Sequence, residues 1–310
     1  MRILVTGAAG YIGSVLVPYL LKKGHSVIAL DNFIYGQTSL LECCRNRNFQ
    51  IVRGDARNSD TVLRLMKSVD IIIPLACIVG APACDEDPIS ATTTNLGAIR
   101  LILKAISKNQ IIIYPNTNSG YGIGQEGIFC TEETPLNPIS LYGTLKVRAE
   151  SEILSAENSV TLRLATVFGT SPRMRLDLLV NDFVYRALTD RFIVLFEASF
   201  KRNYVHIRDV VRAFVHAIQN FEEMKGQTYN VGLSDVNLNK LELCQEIQKQ
   251  IPNFYFHEAE IGKDPDKRNY IVSNEKIEKT GFRAITSIQE GITELIKGFQ
   301  IVLVKQFKNS

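Results

Sequence analysis

The chain has 310 residues, 45% of them hydrophobic, and a formal net charge of +3 at pH 7. That is enough apolar material for one large domain or two modest ones. Its Lys and Arg are scattered among Asp and Glu, which argues against a nucleic-acid partner. The apolar stretch at Met1 to Gly7 is too short for a secretory signal, and no run approaches the about 20 residues that span a bilayer, so no membrane association is expected. The six cysteines (Cys43, Cys44, Cys77, Cys84, Cys130 and Cys244) have neither paired CxxC spacing nor neighbouring His clusters. They read as reduced thiols of a cytoplasmic protein, with no metal site.

In chain order, short β-rich runs alternate with helical patterns: strands at Arg2 to Thr6, Ser26 to Asp31, Gln50 to Arg53, Ile71 to Leu75, Ile111 to Pro115 and Val160 to Ala165. Helices are expected at Tyr11 to Lys23, Thr61 to Lys67, Ile89 to Ser107 and Tyr142 to Ala156. The alternation predicts an α/β fold, a Rossmann-type doubly wound parallel sheet buried on both faces. After about Gly169 the pattern becomes irregular, with loops at Thr170 to Arg173 and Ile261 to Arg268 and short helices at Leu238 to Gln250 and Ser287 to Gly298. This suggests a dinucleotide-binding domain over residues 1–169 and a smaller α/β substrate domain over 170–310, with about 203–230 packing back on the first. The end, Phe299 to Ser310, reads as a frayed helix or an oligomer contact.

Strand Arg2 to Thr6 runs into Gly7-Ala-Ala-Gly10-Tyr-Ile-Gly13 and then a helix. Backbone amides at such a helix start can face a pyrophosphate, and side chains at those glycines would block its approach. Asp31 ends the second strand, where a carboxylate can accept from ribose hydroxyls and repel a 2′-phosphate, favouring NAD over NADP; a solvated turn aspartate is the simpler alternative. Asp55, after the third strand, fits either an acceptor for the adenine amino group or a helix cap.

Tyr142-Gly-Thr-Leu-Lys146 places a phenol and an ammonium four residues apart on one helical face, and a nearby cation favours phenolate. Strand Ile111 to Pro115 delivers Thr117 to the carboxyl end of the sheet, where α/β ligands bind. These groups, with the glycine loop, resemble the short-chain dehydrogenase/reductase superfamily, and the later motifs resemble its extended branch, the nucleotide-sugar-modifying NAD-dependent epimerase/dehydratase family. The resemblance is carried by Asp31-Asn32-Phe33, Leu75-Ala76-Cys77, the Asn95-Leu-Gly97 turn, Tyr121-Gly122, Arg163, Arg202-Asn-Tyr-Val-His206-Ile-Arg-Asp209 and Tyr229-Asn-Val-Gly232. It implies Tyr142 as the base on a sugar hydroxyl, Thr117 as that hydroxyl's hydrogen-bond partner and Lys146 as the binder of the nicotinamide ribose. It also implies cofactor contacts from Gly7, Gly10, Tyr11, Ile12, Gly13, Asp31, Asn32, Asp55, Ala56, Leu75, Ala76 and Asn95, and a homodimer formed through helices Ile89 to Ser107 and Tyr142 to Ala156.

The residues after Thr117 bear on reaction type. Sugar dehydratases of the family carry an Asp-Glu pair there, whereas this chain has Asn118-Ser119, neither of which titrates usefully, so dehydration is disfavoured. Oxidation, reduction and epimerisation at C4 of a nucleotide-diphosphate sugar all stay open. The run Arg163-Leu-Ala-Thr166-Val-Phe-Gly169-Thr-Ser-Pro-Arg173-Met-Arg175 departs from the common family pattern at Thr166 and adds a basic pair. It resembles a subgroup of bacterial surface-polysaccharide enzymes and implies a GDP-heptose type of substrate for capsule polysaccharide. Asn118, Ser119, Thr166, Arg173, Arg175, Arg202 and Arg268 are the substrate-side candidates, the arginines because their planar fork suits a pyrophosphate. His206 reads as structural. A non-catalytic NAD-binding regulator is the competing class, set against by the presence of Thr117, Tyr142 and Lys146 together.

Overall fold

A computed structural model describes residues 1–259 and 268–302. Strands β1 (Arg2–Thr6), β2 (Ser26–Asp31), β3 (Phe49–Arg53), β4 (Ile71–Pro74) and β5 (Ile111–Thr117) are interleaved with helices α1 (Gly13–Lys22), α2 (Ser59–Met66), α3 (Ala81–Glu86), α4 (Pro88–Thr92) and α5 (Ala98–Ala105). There follow β6 (Phe129–Cys130), α6 (Leu141–Leu154), β7 (Ser159–Leu164), β8 (Thr166–Phe168), α7 (Leu179–Thr189), β9 (Phe192–Leu195), β10 (Arg202–His206), α8 (Ile207–Gln219) and α9 (Phe221–Met224). The remainder is β11 (Gln227–Val231), β12 (Asn237–Leu238), α10 (Lys240–Gln250), β13 (Tyr255–Glu258), β14 (Ile271–Val272), α11 (Glu275–Lys279) and α12 (Ile288–Ile301).

Seven strands form one sheet in the order β11-β7-β5-β4-β1-β2-β3, and every pairing in it is parallel. Alternate residues of each strand face opposite sides. Ile3, Val5, Ile71, Ile73 and Ile113 meet α1 and α8 on one face, while Leu4, Ile28, Ile72, Ile112 and Tyr114 meet α2, α5 and α6 on the other. The result is the Rossmann-type, doubly wound α/β fold that the strand composition predicts. The winding direction reverses between β1 and β4, which opens a crevice at their carboxyl ends.

The pieces the sequence pattern misses are instructive. Gln227–Val231 lacks an apolar run, yet it pairs beside β7 with Tyr229 and Val231 buried. Helices α7 and α8 also fall where the pattern seemed irregular; α8 packs on α1 within the same apolar cluster. The helix expected over Ile89 to Ser107 is interrupted by a π-helical turn at Thr93–Gly97, so Asn95 lies inside a widened helix and not in a loop turn. Its side chain accepts from the Ile78 amide at 2.8 Å and donates to the Ile78 carbonyl at 2.9 Å, a reach that the wider turn permits.

A third apolar cluster gathers α7, α10 and α12 against Phe168, Tyr204, Leu195 and Phe254. Helix α12 runs to Ile301, and Phe299 packs edge-on against Tyr185 at 5.6 Å. The rest of the expected tail, 303–310, and most of the expected loop, 261–267, lie outside the described residues. No helix of the described residues is long and apolar enough to cross a membrane.

Candidate active site

The glycine turn sits at the crevice. Gly7 has φ +63°, and a methyl group there would lie 2.6 Å from the Ala76 amide nitrogen; one on Gly13 would lie 2.4 Å from the Ala8 carbonyl oxygen. These glycines therefore let β1 pass close to the Leu75–Ala76 segment and bring α1 down onto the turn. Gly10 donates to the Gly7 carbonyl at 3.1 Å. Tyr11 and Ile12 lead into α1, whose start has no side-chain cap and no acidic residue in its first turn. An uncapped helix start behind a cradle that any Cβ would fill fits the diphosphate of a dinucleotide.

Asp31, buried at the end of β2, accepts from the Ala9 amide at 2.9 Å and from the Phe33 amide at 2.8 Å. Its carboxylate thus faces the turn and is not a solvated loop group. Asn32 is exposed and accepts from the Ile34 amide. Asp55 pairs with Arg57 through both carboxylate oxygens, and Asn58, not Asp55, caps α2; the helix-cap alternative for Asp55 is thereby corrected, since the cap lies three residues further on. Ala56 is buried against the β1 and β2 side of the sheet.

Ser140 caps α6 by accepting from the Gly143 amide at 3.1 Å, which fixes Tyr142 in the first turn and Lys146 one turn on. Position 143 must be small: a methyl there would meet Pro138 at 3.0 Å and the Ser119 carbonyl at 3.5 Å. Thr117 ends β5 and is reached from the Ser119 amide at 3.1 Å, and its hydroxyl donates to Ser119 Oγ at 2.9 Å. The close approach of Gly143 to Ser119 sets Thr117, Asn118 and Ser119 beside Tyr142. Asn118 is 1% exposed, and among the described residues neither its side-chain amide nitrogen nor its side-chain oxygen has a hydrogen-bond partner. Lys146 is buried, donates to the Pro115 carbonyl at 2.5 Å and lies 3.9 Å from the centre of the Tyr114 ring; burial lowers its pKa.

Burial pushes the Tyr142 phenol well above its ordinary value, the Cys77 thiol adds to the shift, and Arg175 and Arg268 pull against it. The leading cations on the phenol are thus these two arginines from the second half of the chain, where the sequence argument looked to Lys146. Arg268 donates to Ser119 Oγ, and Arg175 pairs with Asp177. Thr166 lies on β8 opposite Tyr204. Arg202 is buried on β10, donates to the Lys201 carbonyl and stacks 5.6 Å from the Tyr270 ring centre. Arg173 is elsewhere, beside the glycine turn. His206 is fully buried with Nε2 3.4 Å from Glu294, a structural role as expected.

Sequence reasoning missed the frame behind α6. Arg163 Nη2 pairs with Glu150 at 2.7 Å and its Nη1 donates to Tyr121 Oη at 3.0 Å. Tyr121 donates to Asn230 at 2.7 Å, and Asn116 donates to Glu150 at 2.6 Å. This buried network joins β5, α6, β7 and β11 and so positions the helix carrying Tyr142 and Lys146. Arg163, Tyr121 and Asn230 stood in the quoted motifs, but only the fold pairs them.

A family model described as NAD dependent epimerase/dehydratase family matches residues 3–232. The chain is 30% identical over 315 residues to a UDP-glucose 4-epimerase of Mycolicibacterium smegmatis, covering 97% of this chain and 99% of that one. It is 29% identical over 317 residues to an uncharacterised UDP-glucose epimerase of Bacillus subtilis, covering 96% and 97%. Among solved structures, the UDP-glucuronic acid 4-epimerase of Bacillus cereus, in complex with UDP-glucuronic acid and NAD, superposes with a TM-score of 0.87 at 25% identity over 97% of this chain and 99% of that one. With the glycine cradle, the buried Asp31 and the Thr117, Tyr142 and Lys146 set in one crevice, the chain belongs to the NAD dependent epimerase/dehydratase family, and NAD is its cofactor.

Proposed function

We propose that this enzyme oxidises, or in reverse reduces, C4 of the sugar in a nucleotide-diphosphate sugar, and that its substrate is of the GDP-heptose type used for surface polysaccharide. The nucleotide-sugar class is supported by relatives named for UDP-glucose and by a neighbour that holds UDP-glucuronic acid with NAD. Support for a GDP-heptose is the run from Arg163 to Arg175 with Thr166 and the added basic pair.

The observation that carries the reaction type is the setting of Tyr142. The residues set beside it by the close approach of Gly143, Asn118 and Ser119, do not titrate usefully. Tyr142 Oη takes the proton of the C4 hydroxyl, helped by Arg175 and Arg268, which favour the phenolate. Thr117 Oγ1, held by the Ser119 amide, hydrogen-bonds the same hydroxyl. The buried Asn118 amide offers the substrate both a donor and an acceptor, while Arg202 and Arg268 serve its phosphates and sugar. Lys146 binds the nicotinamide ribose. When bound, NAD accepts the hydride or returns it.

A second reading, C4 epimerisation, needs no further ionisable group and is favoured by a relative and a solved neighbour named as 4-epimerases. The test is turnover of GDP-, UDP- and dTDP-sugars in deuterated water with mass analysis of the product. A 4-keto sugar or a C4 epimer that keeps its hydrogens at C3 and C5 is expected. Enzyme-dependent deuterium uptake at C3 or C5, or a product lighter by one water, would overturn the proposal, because either requires an acid or base that Asn118 and Ser119 do not supply.

A further inference from the structure

Lys and Arg that lie scattered along the sequence are gathered by the fold at the end of the sheet opposite the crevice. In a parallel sheet every connection enters its strand at the same end. Here the entries are Arg2, which opens β1, Lys22-Lys23-Gly24-His25 before β2, Arg45-Asn46-Arg47-Asn48 before β3, Lys67-Ser68-Val69-Asp70 before β4 and Ser107-Lys108-Asn109-Gln110 before β5. Backbone hydrogen bonds stitch them into one row. The Ser26 amide donates to the Met1 carbonyl at 3.0 Å and the Val27 amide to the Asn48 carbonyl at 2.9 Å. The Asp70 amide donates to the Arg2 carbonyl at 2.8 Å and the Ile111 amide to the Asp70 carbonyl at 3.0 Å.

The seven Lys and Arg of these entries are all exposed. Their one carboxylate, Asp70, accepts from the Arg2 amide at 2.7 Å. The Arg2 side chain donates to Gln50 at 3.1 Å, and Lys23 rests 5.5 Å from the Tyr19 ring centre. Among the described residues none of the seven side chains pairs with a carboxylate. The formal total of the chain is only +3, so the rest of the molecule is net negative and this end carries a positive field of its own. Past β5 the sign changes: Glu157 precedes β7, and Lys225, before β11, pairs with Glu222 at 2.6 Å.

The cations spread over five neighbouring strands, a width of about 20 Å at the ordinary strand spacing. A nucleic-acid site joins its cations to aromatic platforms or to an element laid in a groove, and the four entry loops carry no Phe, Tyr or Trp. A leaflet of anionic lipid asks only for cations spread across a face. The sequence sets a membrane aside by the length of its apolar runs, and a peripheral electrostatic contact requires no such run.

We infer that the amino-terminal end of the sheet, from β5 across to β3, docks the protein on a membrane surface that carries anionic lipid. The crevice opens at the carboxyl ends of the same strands, so in this pose the active site faces away from the lipid and stays open to substrate. The inference is independent of the sugar chemistry proposed above.

Vesicle sedimentation tests it, with phosphatidylcholine alone and with phosphatidylcholine and phosphatidylglycerol in equal parts, at low and at physiological salt. Anisotropy of a labelled short DNA duplex is measured beside it. The parent is compared with a variant carrying Lys22→Glu, Lys23→Glu, Arg45→Glu and Arg47→Glu. A control carries Arg148→Glu, Lys225→Glu, Lys249→Glu and Lys279→Glu, exposed positions outside the row, and so loses the same charge elsewhere. The expected result is binding to the anionic vesicles that weakens as salt rises, none to phosphatidylcholine alone, a loss of tenfold or more in the first variant and an affinity within threefold of the parent in the control. No binding to the anionic vesicles, equal binding to both kinds, equal losses in the two variants, or tighter binding to the DNA than to the vesicles would each overturn it. Circular dichroism and melting accompany each measurement. Should the first variant not fold, Gln at the same four positions, which removes the charge without reversing it, takes its place.

Discussion

The two ends of the crevice are built by different means. At the glycine turn the groups are backbone amides, and twelve consecutive residues from Arg2 to Gly13 place them. At the Tyr142 end they are side chains: Thr117 from β5, Tyr142 from α6, and Arg175 and Arg268 from segments far along the chain. A site made of backbone tolerates no added atom. A site made of converging side chains tolerates substitution but loses function in proportion to the group removed.

That contrast can be pressed hardest at Tyr142. Tyr142→Phe removes the proposed proton acceptor and keeps the ring, so turnover should fall by about a thousandfold while melting temperature and NAD affinity stay near the parent's. A variant turning over within a few-fold of the parent would move the base elsewhere and dissolve the distinction between the two ends. Gly13→Ala attacks the other kind of construction. Its methyl would meet the Ala8 carbonyl at 2.4 Å, and the shift needed to relieve that contact should cost about 3 kcal/mol of stability and weaken NAD binding. A melting temperature and NAD affinity equal to the parent's would show that the turn has slack the packing does not reveal.

The smallest expected effect sharpens the comparison. Arg268 and Arg175 pull the Tyr142 phenol down against its burial, so losing one raises the phenol pKa. The acid limb of the kcat profile should move to higher pH, by less than about one unit for Arg268→Ala. Turnover below that limb falls while turnover on the alkaline side recovers. Arg202→Ala removes a cation that is not among the leading influences on the phenol and should change KM and leave the limb in place. An unmoved limb in Arg268→Ala would mean that Arg268 only grips the substrate.

The same division governs what was legible beforehand. The strands of the central sheet and the glycine turn could be read directly, because buried parallel strands are nearly continuous in Ile, Val and Leu and because the turn is contiguous. Tyr142 and Lys146 were legible as a spacing, but their electrical setting was not. Lys146 is turned to the Pro115 carbonyl, and the cations that matter to the phenol approach from residues 33 and 126 positions further on, a distance no local pattern reports. Arg173 was legible as an unusual arginine, but its surroundings were not, for the same reason: its neighbours Ser14 and Tyr35 lie in the first forty residues. Strand β11 escaped because Gln227-Thr-Tyr-Asn-Val carries its polar residues inward, where Asn230 accepts the Tyr121 hydroxyl and Thr228 meets Thr161.

That last strand has a consequence for how the protein is made. β11 closes the sheet beside β7, pairing Gln227 with Val160 through to Val231 with Leu164, yet α7, β9, β10, α8 and α9 are all synthesised in between. On the ribosome β7 therefore emerges with its outer edge bare. At the ~5–20 residues per second of translation, that edge waits several seconds for its partner. The seven-stranded sheet cannot be completed before the chain from β8 to α9 already exists, and Asn230 is the late joint that ties the arriving strand to Tyr121. Chains released inside that interval would carry an open parallel edge in place of a finished sheet, and a cell would meet them as sticky fragments to be cleared, not as enzymes with a missing tail.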